Sequence, residues 1–182
     1  MRIFISGGCK NGKSYYAQRL AKGQASGPLY YVATMTSADS EDDARIKRHL
    51  ADRDGWGFIT VEQPNDIQNI LRGCDHAGSF LLDSLTALLA NEMFPRNGNI
   101  NENAAQKISG ELAQAIQSLE NIVIVSDYIY SDALHFDPLT ELYRKSLAVL
   151  DRLAAKHCDV VLEAAYTSIT AHKGEELFHA IR

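Results

Sequence analysis

The apolar run Ile3-Phe4-Ile5 leads, through Ser6, into Gly7-Gly8-Cys9-Lys10-Asn11-Gly12-Lys13-Ser14, a G-x-x-x-x-G-K-S loop. Few short patterns restrict a fold so much. Glycines at 7, 8 and 12 let the backbone curl around an anion, so that successive N–H groups and the start of the next helix point at it. Such a loop needs a buried strand in front of it and a helix behind it. Lys13 is then placed to reach the β- and γ-phosphates of a nucleotide, and the Ser14 hydroxyl to hold Mg²⁺. An ordinary glycine-rich turn is the competing explanation, and the apolar run before the loop argues against it.

Five further apolar runs, residues 29–33, 58–61, 79–82, 122–125 and 160–162, are each short enough to be a buried strand. Helical patterns lie between them at 14–21, 40–51, 66–72, 103–119 and 139–156. In the fourth of these, Ala104, Ala105, Ile108, Leu112, Ala115 and Leu119 recur at helical spacing. Strands alternating with helices predict the α/β class, with a largely parallel sheet covered on both faces. The longest irregular stretches, 95–99 and 128–138, fall where loops from strand ends would gather. A nucleotide site of this kind also needs an acidic residue ending a buried strand, and Phe80-Leu81-Leu82-Asp83 supplies one. Asp83 is therefore the expected Mg²⁺ partner of Ser14. The same carboxylate is also placed to cap a helix beginning at Leu85.

A chain of 182 residues with 46% hydrophobic composition suits one domain spanning 1–182. Its net charge of -5, with no block of Lys or Arg, gives little electrostatic support for a nucleic-acid partner. No stretch approaches the ~20 apolar residues of a membrane span, which places the chain in the cytoplasm. Cys9, Cys74 and Cys158 are odd in number and far apart, which fits reduced thiols better than disulfides or a zinc site. His135, His157, His172 and His179 have no ligand spacing with one another and read as surface or packing residues.

The segment from Ser40 to Arg53 is the second informative stretch. Ser40 with Asp43 resembles a capping box, and a continuing helix would set Arg45, His49 and Arg53 on one face at successive four-residue steps. Two guanidinium groups beside an imidazole disfavour its protonation, which keeps His49 neutral and nucleophilic near pH 7. The same arginines can grip a phosphate chain. A solvated charged helix that happens to carry one histidine is the plainer explanation of these residues taken alone.

The order of the pieces is more specific than any one of them. Gly-Gly-x-x-x-Gly-Lys-Ser is followed by Tyr31-Val-Ala-Thr34, Glu41, Arg45-Ile46-x-x-His49-x-x-x-Arg53-x-x-Trp56-x-x-x-Thr60-x-Glu62 and Leu82-Asp83-x-Leu-Thr86. This succession resembles the adenosylcobinamide kinase / adenosylcobinamide-phosphate guanylyltransferase family over roughly the first half of the chain. The resemblance implies a P-loop nucleoside triphosphate hydrolase-like three-layer fold with a mostly parallel central sheet, a homotrimer, and a two-step transferase of cobalamin assembly using GTP or ATP with a corrinoid. Carried over by position, Gly7, Gly8, Cys9, Lys10, Asn11, Gly12, Lys13 and Ser14 would bind nucleotide phosphates. Ala33, Thr34 and Met35, then Leu50, Ala51, Asp52 and Arg53, and then Glu62 and Asp83 match further nucleotide contacts. His49 matches the histidine that becomes guanylylated, with Arg45 beside it.

The second half departs from that pattern. Where the family usually reads Ser-Asn-Glu-Val-Gly, this chain has Ser126-Asp127-Tyr128-Ile129-Tyr130, followed by Ser131-Asp132-Ala133-Leu134-His135. The loop's usual Arg-Ser is Lys10-Asn11, which keeps the charge without the planar fork. The corrinoid side is therefore where this chain is expected to differ, leaving two alternatives open. One is a P-loop small-molecule kinase with a changed acceptor or without guanylyltransfer; the other is a nucleotide-binding regulatory subunit without turnover.

Overall fold

The computed structural model describes residues 1–37, 46–47, 50–51, 53–96, 98–166 and 168–179. Strand β1 (Arg2–Gly7) enters the glycine loop and helix α1 (Lys13–Gly23) leaves it, followed by β2 (Leu29–Ala33) and β3 (Phe58–Glu62). A 3-10 turn (Ile67–Asn69) runs into the short α2 (Ile70–Gly73), then come β4 (Ser79–Asp83), α3 (Leu85–Met93), α4 (Ala104–Ser118) and β5 (Asn121–Asp127). The chain ends with α5 (Pro138–His157), β6 (Val160–Ala165), β7 (Ser168–Lys173) and α6 (Glu175–His179).

These strands form a seven-stranded sheet in the order β3-β2-β4-β5-β1-β6-β7, parallel throughout except for the antiparallel β6–β7 pair. Alternation along each strand sorts the core into two faces. Phe4, Phe80, Leu82, Ile122 and Ile124 face one way, onto apolar residues of α3, α4 and α5. Ile3, Ile5, Leu81, Val123 and Val125 face the other, onto Ala17 and Leu20 of α1 and Phe178 of α6. The three-layer α/β reading therefore holds. The six apolar runs are all strands, and the seventh strand, β7, is one the apolar pattern does not reveal. Its sequence Ser-Ile-Thr-Ala-His-Lys lies at the sheet edge with no residue fully buried.

Parallel strands send all their carboxyl ends to one edge, and the register aligns those ends closely. Gly7 lies opposite Asp127, and Ala33 opposite both Asp83 and Glu62. Crevices at this edge are where open α/β sheets bind ligands. Helix α3 starts there, and its cap is Ser84, whose hydroxyl accepts from the Ala87 N–H at 3.3 Å. Asp83 is thus not the cap. Its neighbour takes that role, and the carboxylate is left for the site. The helical expectation for 40–51 falls mostly outside the described residues; Ile46, Lys47, Leu50 and Ala51 are helical.

Candidate active site

The glycine loop is shaped by close approach and by backbone handedness. Gly12 has φ of 85°, which a side chain would strain, and a Cβ on Gly7 would stand 2.5 Å from the Ala164 carbonyl oxygen. Asn11 fixes the loop to the sheet, its amide donating to the Ala164 carbonyl while its Oδ1 accepts from the Lys13 N–H at 3.2 Å. Cys9 and Lys10 at the loop crest are exposed, with Lys10 at φ of 59°.

Two strand-end carboxylates meet the loop. Lys13 is buried, pairs with Asp127 of β5, and donates to the Gly8 carbonyl at 3.1 Å. Asp127 is held in turn by its own N–H, which donates to the Thr86 hydroxyl at 2.9 Å. The Ser14 hydroxyl lies 3.5 Å from Asp83 Oδ1, and the Tyr31 hydroxyl donates to Asp83 Oδ2 at 2.8 Å. Behind Tyr31 stands Arg53, 7% exposed, its guanidinium carbon 3.9 Å from the ring centre and its Nη2 donating to the Thr60 hydroxyl at 3.3 Å. Stacking on an aromatic face keeps the guanidinium plane fixed.

Thr34 joins the strand ends. It is fully buried, donating through its hydroxyl to the Ser84 carbonyl at 2.9 Å and accepting from the Ser84 N–H at 2.7 Å. Asn91 of α3 then donates to the Thr34 carbonyl at 2.7 Å.

Two cavities open at this edge. The smaller, about 350 Å³, is walled by Ala33, Met35, Leu50, Arg53, Glu62 and Asp83, among others. Six of the positions expected to contact nucleotide thus surround one space. The larger, about 930 Å³, shares Tyr31, Met35, Thr36, Asp83 and Arg96 with it and extends to Asp127, Thr86, Asn91 and Tyr143. Asp66, Asp83, Glu92 and Asp127 line it against the guanidinium of Arg96. Lys107 pairs with Asp66 and Glu92 at 2.6 Å each, offsetting part of that charge. Lys13 pairs with Asp127 in the same way, so the wall carries both signs of charge and suits a ligand with many hydrogen-bonding groups. Burial pushes the Tyr143 hydroxyl up to about 12, and it donates to the Thr86 carbonyl at 2.9 Å.

Arg45, His49 and Asp52 lie outside the described residues. Ala51 is exposed and is not among the residues walling either cavity. Sequence reasoning gave no role to Asp127, Thr86, Arg96 or Tyr143. A signal for Asp127 was present, because it ends the buried run 122–126 just as Asp83 ends its own. His172 lies 2.8 Å from Glu163 on the surface, and among the described residues no cluster of His, Cys, Asp and Glu is disposed to hold a metal by itself.

A glycine loop between the first strand and first helix of a parallel sheet, with a buried lysine and a serine–aspartate pair at its mouth, defines the P-loop class of nucleotide-binding α/β folds. The chain belongs, within that class, to the cobinamide kinase / cobinamide phosphate guanyltransferase family, whose pattern matches residues 3–167, and it is therefore a transferase. The bifunctional adenosylcobalamin biosynthesis protein CobP of Pseudomonas aeruginosa is 30% identical to it, over 97% of this chain and 100% of the relative. Among solved structures, the flagellar accessory protein FlaH from Methanocaldococcus jannaschii aligns with 94% of this chain and 77% of its own, with a TM-score of 0.40 and 16% identity. Among the described residues, no helix is long and apolar enough to cross a membrane.

Proposed function

We propose that this chain performs both transfers for which its family is described: phosphorylation of the cobinamide hydroxyl from GTP or ATP, then transfer of GMP to the resulting phosphate through a covalent intermediate on His49. The supporting observation is a shared wall. Asp83 stands beside Ser14 at the glycine loop and also lines the smaller cavity with Leu50 and Arg53, the near neighbours of His49 in sequence.

In the first transfer, the loop N–H groups and Lys13 hold the β- and γ-phosphates and offset the charge that builds on the leaving diphosphate. The oxygen donors of Ser14 and Asp83 suit a hard divalent cation such as Mg²⁺, which when bound would neutralise phosphate charge. The larger cavity, lined by Asn65, Asn91 and Asn101 among other polar residues, is the space assigned to the amide-rich corrinoid. In the second transfer, the imidazole of His49 attacks the α-phosphorus of GTP, pyrophosphate leaves, and the corrinoid phosphate then displaces the imidazole to take GMP. Arg53, fixed on Tyr31, balances charge on the non-bridging oxygens. By the same family resemblance, the chain works as a homotrimer in the cytoplasm with no nucleic-acid partner. Sedimentation at three times the chain mass tests the first of these.

Incubation with α-labelled GTP and Mg²⁺ tests the central step. Label is expected on the wild-type protein, with release of pyrophosphate, through a bond labile to acid and stable to base. His49→Ala is expected to lose that label and keep transfer from the γ-position. Absence of covalent GMP on folded wild-type protein leaves a kinase alone as the better reading. The changed-acceptor alternative rests on the divergent loop, which Arg144 holds by donating to the Ile129 and Leu134 carbonyls at 3.1 Å each and to Asp132 at 2.7 Å, and none of residues 128–136 walls either cavity. Cobinamide and its phosphate, assayed separately, decide this point, and turnover of either also removes the regulatory-subunit alternative.

A further inference from the structure

We propose that Asp127 is the proton acceptor of the phosphorylation step, receiving the hydrogen of the acceptor hydroxyl as the new oxygen–phosphorus bond forms. The proposal rests on the reading that the glycine loop carries phosphoryl transfer, and adds to it a residue that neither the loop motif nor the family resemblance assigns. Three features of the structure converge on it.

Asp127 lines the larger cavity and at the same time touches Lys13, so it borders both the acceptor space and the γ-phosphate position. Only a group at that boundary can reach a hydroxyl aligned for attack on phosphorus. Its orientation is fixed from behind. Strand pairing holds it opposite Gly7, and its N–H donates to the Thr86 hydroxyl. Lys13 takes Oδ1, and among the described residues no donor meets Oδ2, which leaves that oxygen for a substrate. The third feature is its place in the strand. Asp127 is the last residue of β5, a charge directly after the buried run 122–126, so the strand delivers its carboxylate to the cavity edge. Tyr128 itself lies against Glu163 of β6, away from the cavity wall.

The step balances without another reactant. The acceptor oxygen bonds to the γ-phosphorus, the β–γ bridging bond breaks with its electron pair leaving on the diphosphate, and the hydroxyl proton passes to Asp127 Oδ2. The proton returns to solvent when the product leaves.

Single-turnover transfer from γ-labelled GTP to cobinamide, with Mg²⁺ present, is the test. Asp127→Asn is expected to slow transfer by at least about 100-fold, the scale of a lost general base. GTP affinity should be unchanged or tighter, because Lys13 is released, and covalent labelling from α-labelled GTP should persist. Asp127→Glu should recover part of the rate. Should Asp127→Asn fail to fold, Asp127→Ser carries the same comparison. Transfer at the wild-type rate in a folded neutral variant, with only GTP affinity altered, overturns the proposal and leaves Asp127 a resting partner of Lys13. Failure of the underlying reading looks different, since the wild-type protein would then not transfer the γ-label at all.

Discussion

Asp151 of α5 shows what a buried carboxylate costs. It is 4% exposed and accepts from the Tyr130 hydroxyl at 2.7 Å. Burial pushes its carboxyl up to about 6, against the pull of the Ser126 and Tyr130 hydroxyls, and the Asp127 charge adds to the rise. Between the ordinary value of 3.8 and about 6, the folded chain holds a proton that the unfolded chain has lost, so stability falls as pH rises through that window. Asp151→Asn removes this penalty and keeps an acceptor for Tyr130. It is expected to stabilise the protein at pH 7.5 by up to about 3 kcal/mol, with the gain vanishing near pH 4. Urea unfolding at the two pH values measures this. At the site, Asp83→Asn retains an oxygen for the Tyr31 hydroxyl while deleting the charge beside Ser14. Mg²⁺-dependent turnover should fall far more than nucleotide binding without metal; equal losses in the two assays would make Asp83 structural.

Between elements, the ends of β2 and β4 are held by one buried hydroxyl. Thr34→Val strips both the Ser84 N–H and the Ser84 carbonyl of their partner, at a cost of about 2 kcal/mol or more, and loosens Asp83 next to them. Ser84→Ala removes only the α3 cap, worth about 1 kcal/mol. Thermal unfolding should rank the two in that order, and only Thr34→Val should also raise the Mg²⁺ concentration needed for turnover. These elements differ in how far the sequence announces them. The central strands are continuous apolar runs, because both faces of a parallel sheet are covered, and Asp83 stands out as the charge that ends one. Strand β7 escapes notice because an edge strand with exposed Ser168, Thr170 and His172 carries no apolar run. Asp83 and Ser84 are both good caps by type, and only the local backbone decides between them. Tyr143, about sixty residues beyond Asp83, reaches the same cavity through the packing of α5, which no local pattern contains.

Across the whole molecule, the sheet separates a large core from a small one. Phe80, fully buried and stacked on Tyr30 at 4.8 Å, belongs to the large one, and Phe80→Ala should cost about 3–5 kcal/mol. Phe178→Ala on the opposite face should detach α6 at smaller cost and leave transfer kinetics unchanged, because α6 contributes no cavity wall. Chemical denaturation paired with a γ-transfer assay separates the two effects.

Asp83 borders both cavities, and Tyr31, Met35, Thr36 and Arg96 border both with it. A nucleotide seated at the glycine loop and one seated beside Leu50 and Arg53 both draw on Asp83. Under the proposed function, each chain must therefore finish one transfer before beginning the other, and its output follows the slower of the two turns. Surplus GTP, by lingering at one side, should hold up the other: the overall rate is expected to pass through a maximum and then decline as GTP is raised, whereas each half-reaction measured alone should simply saturate.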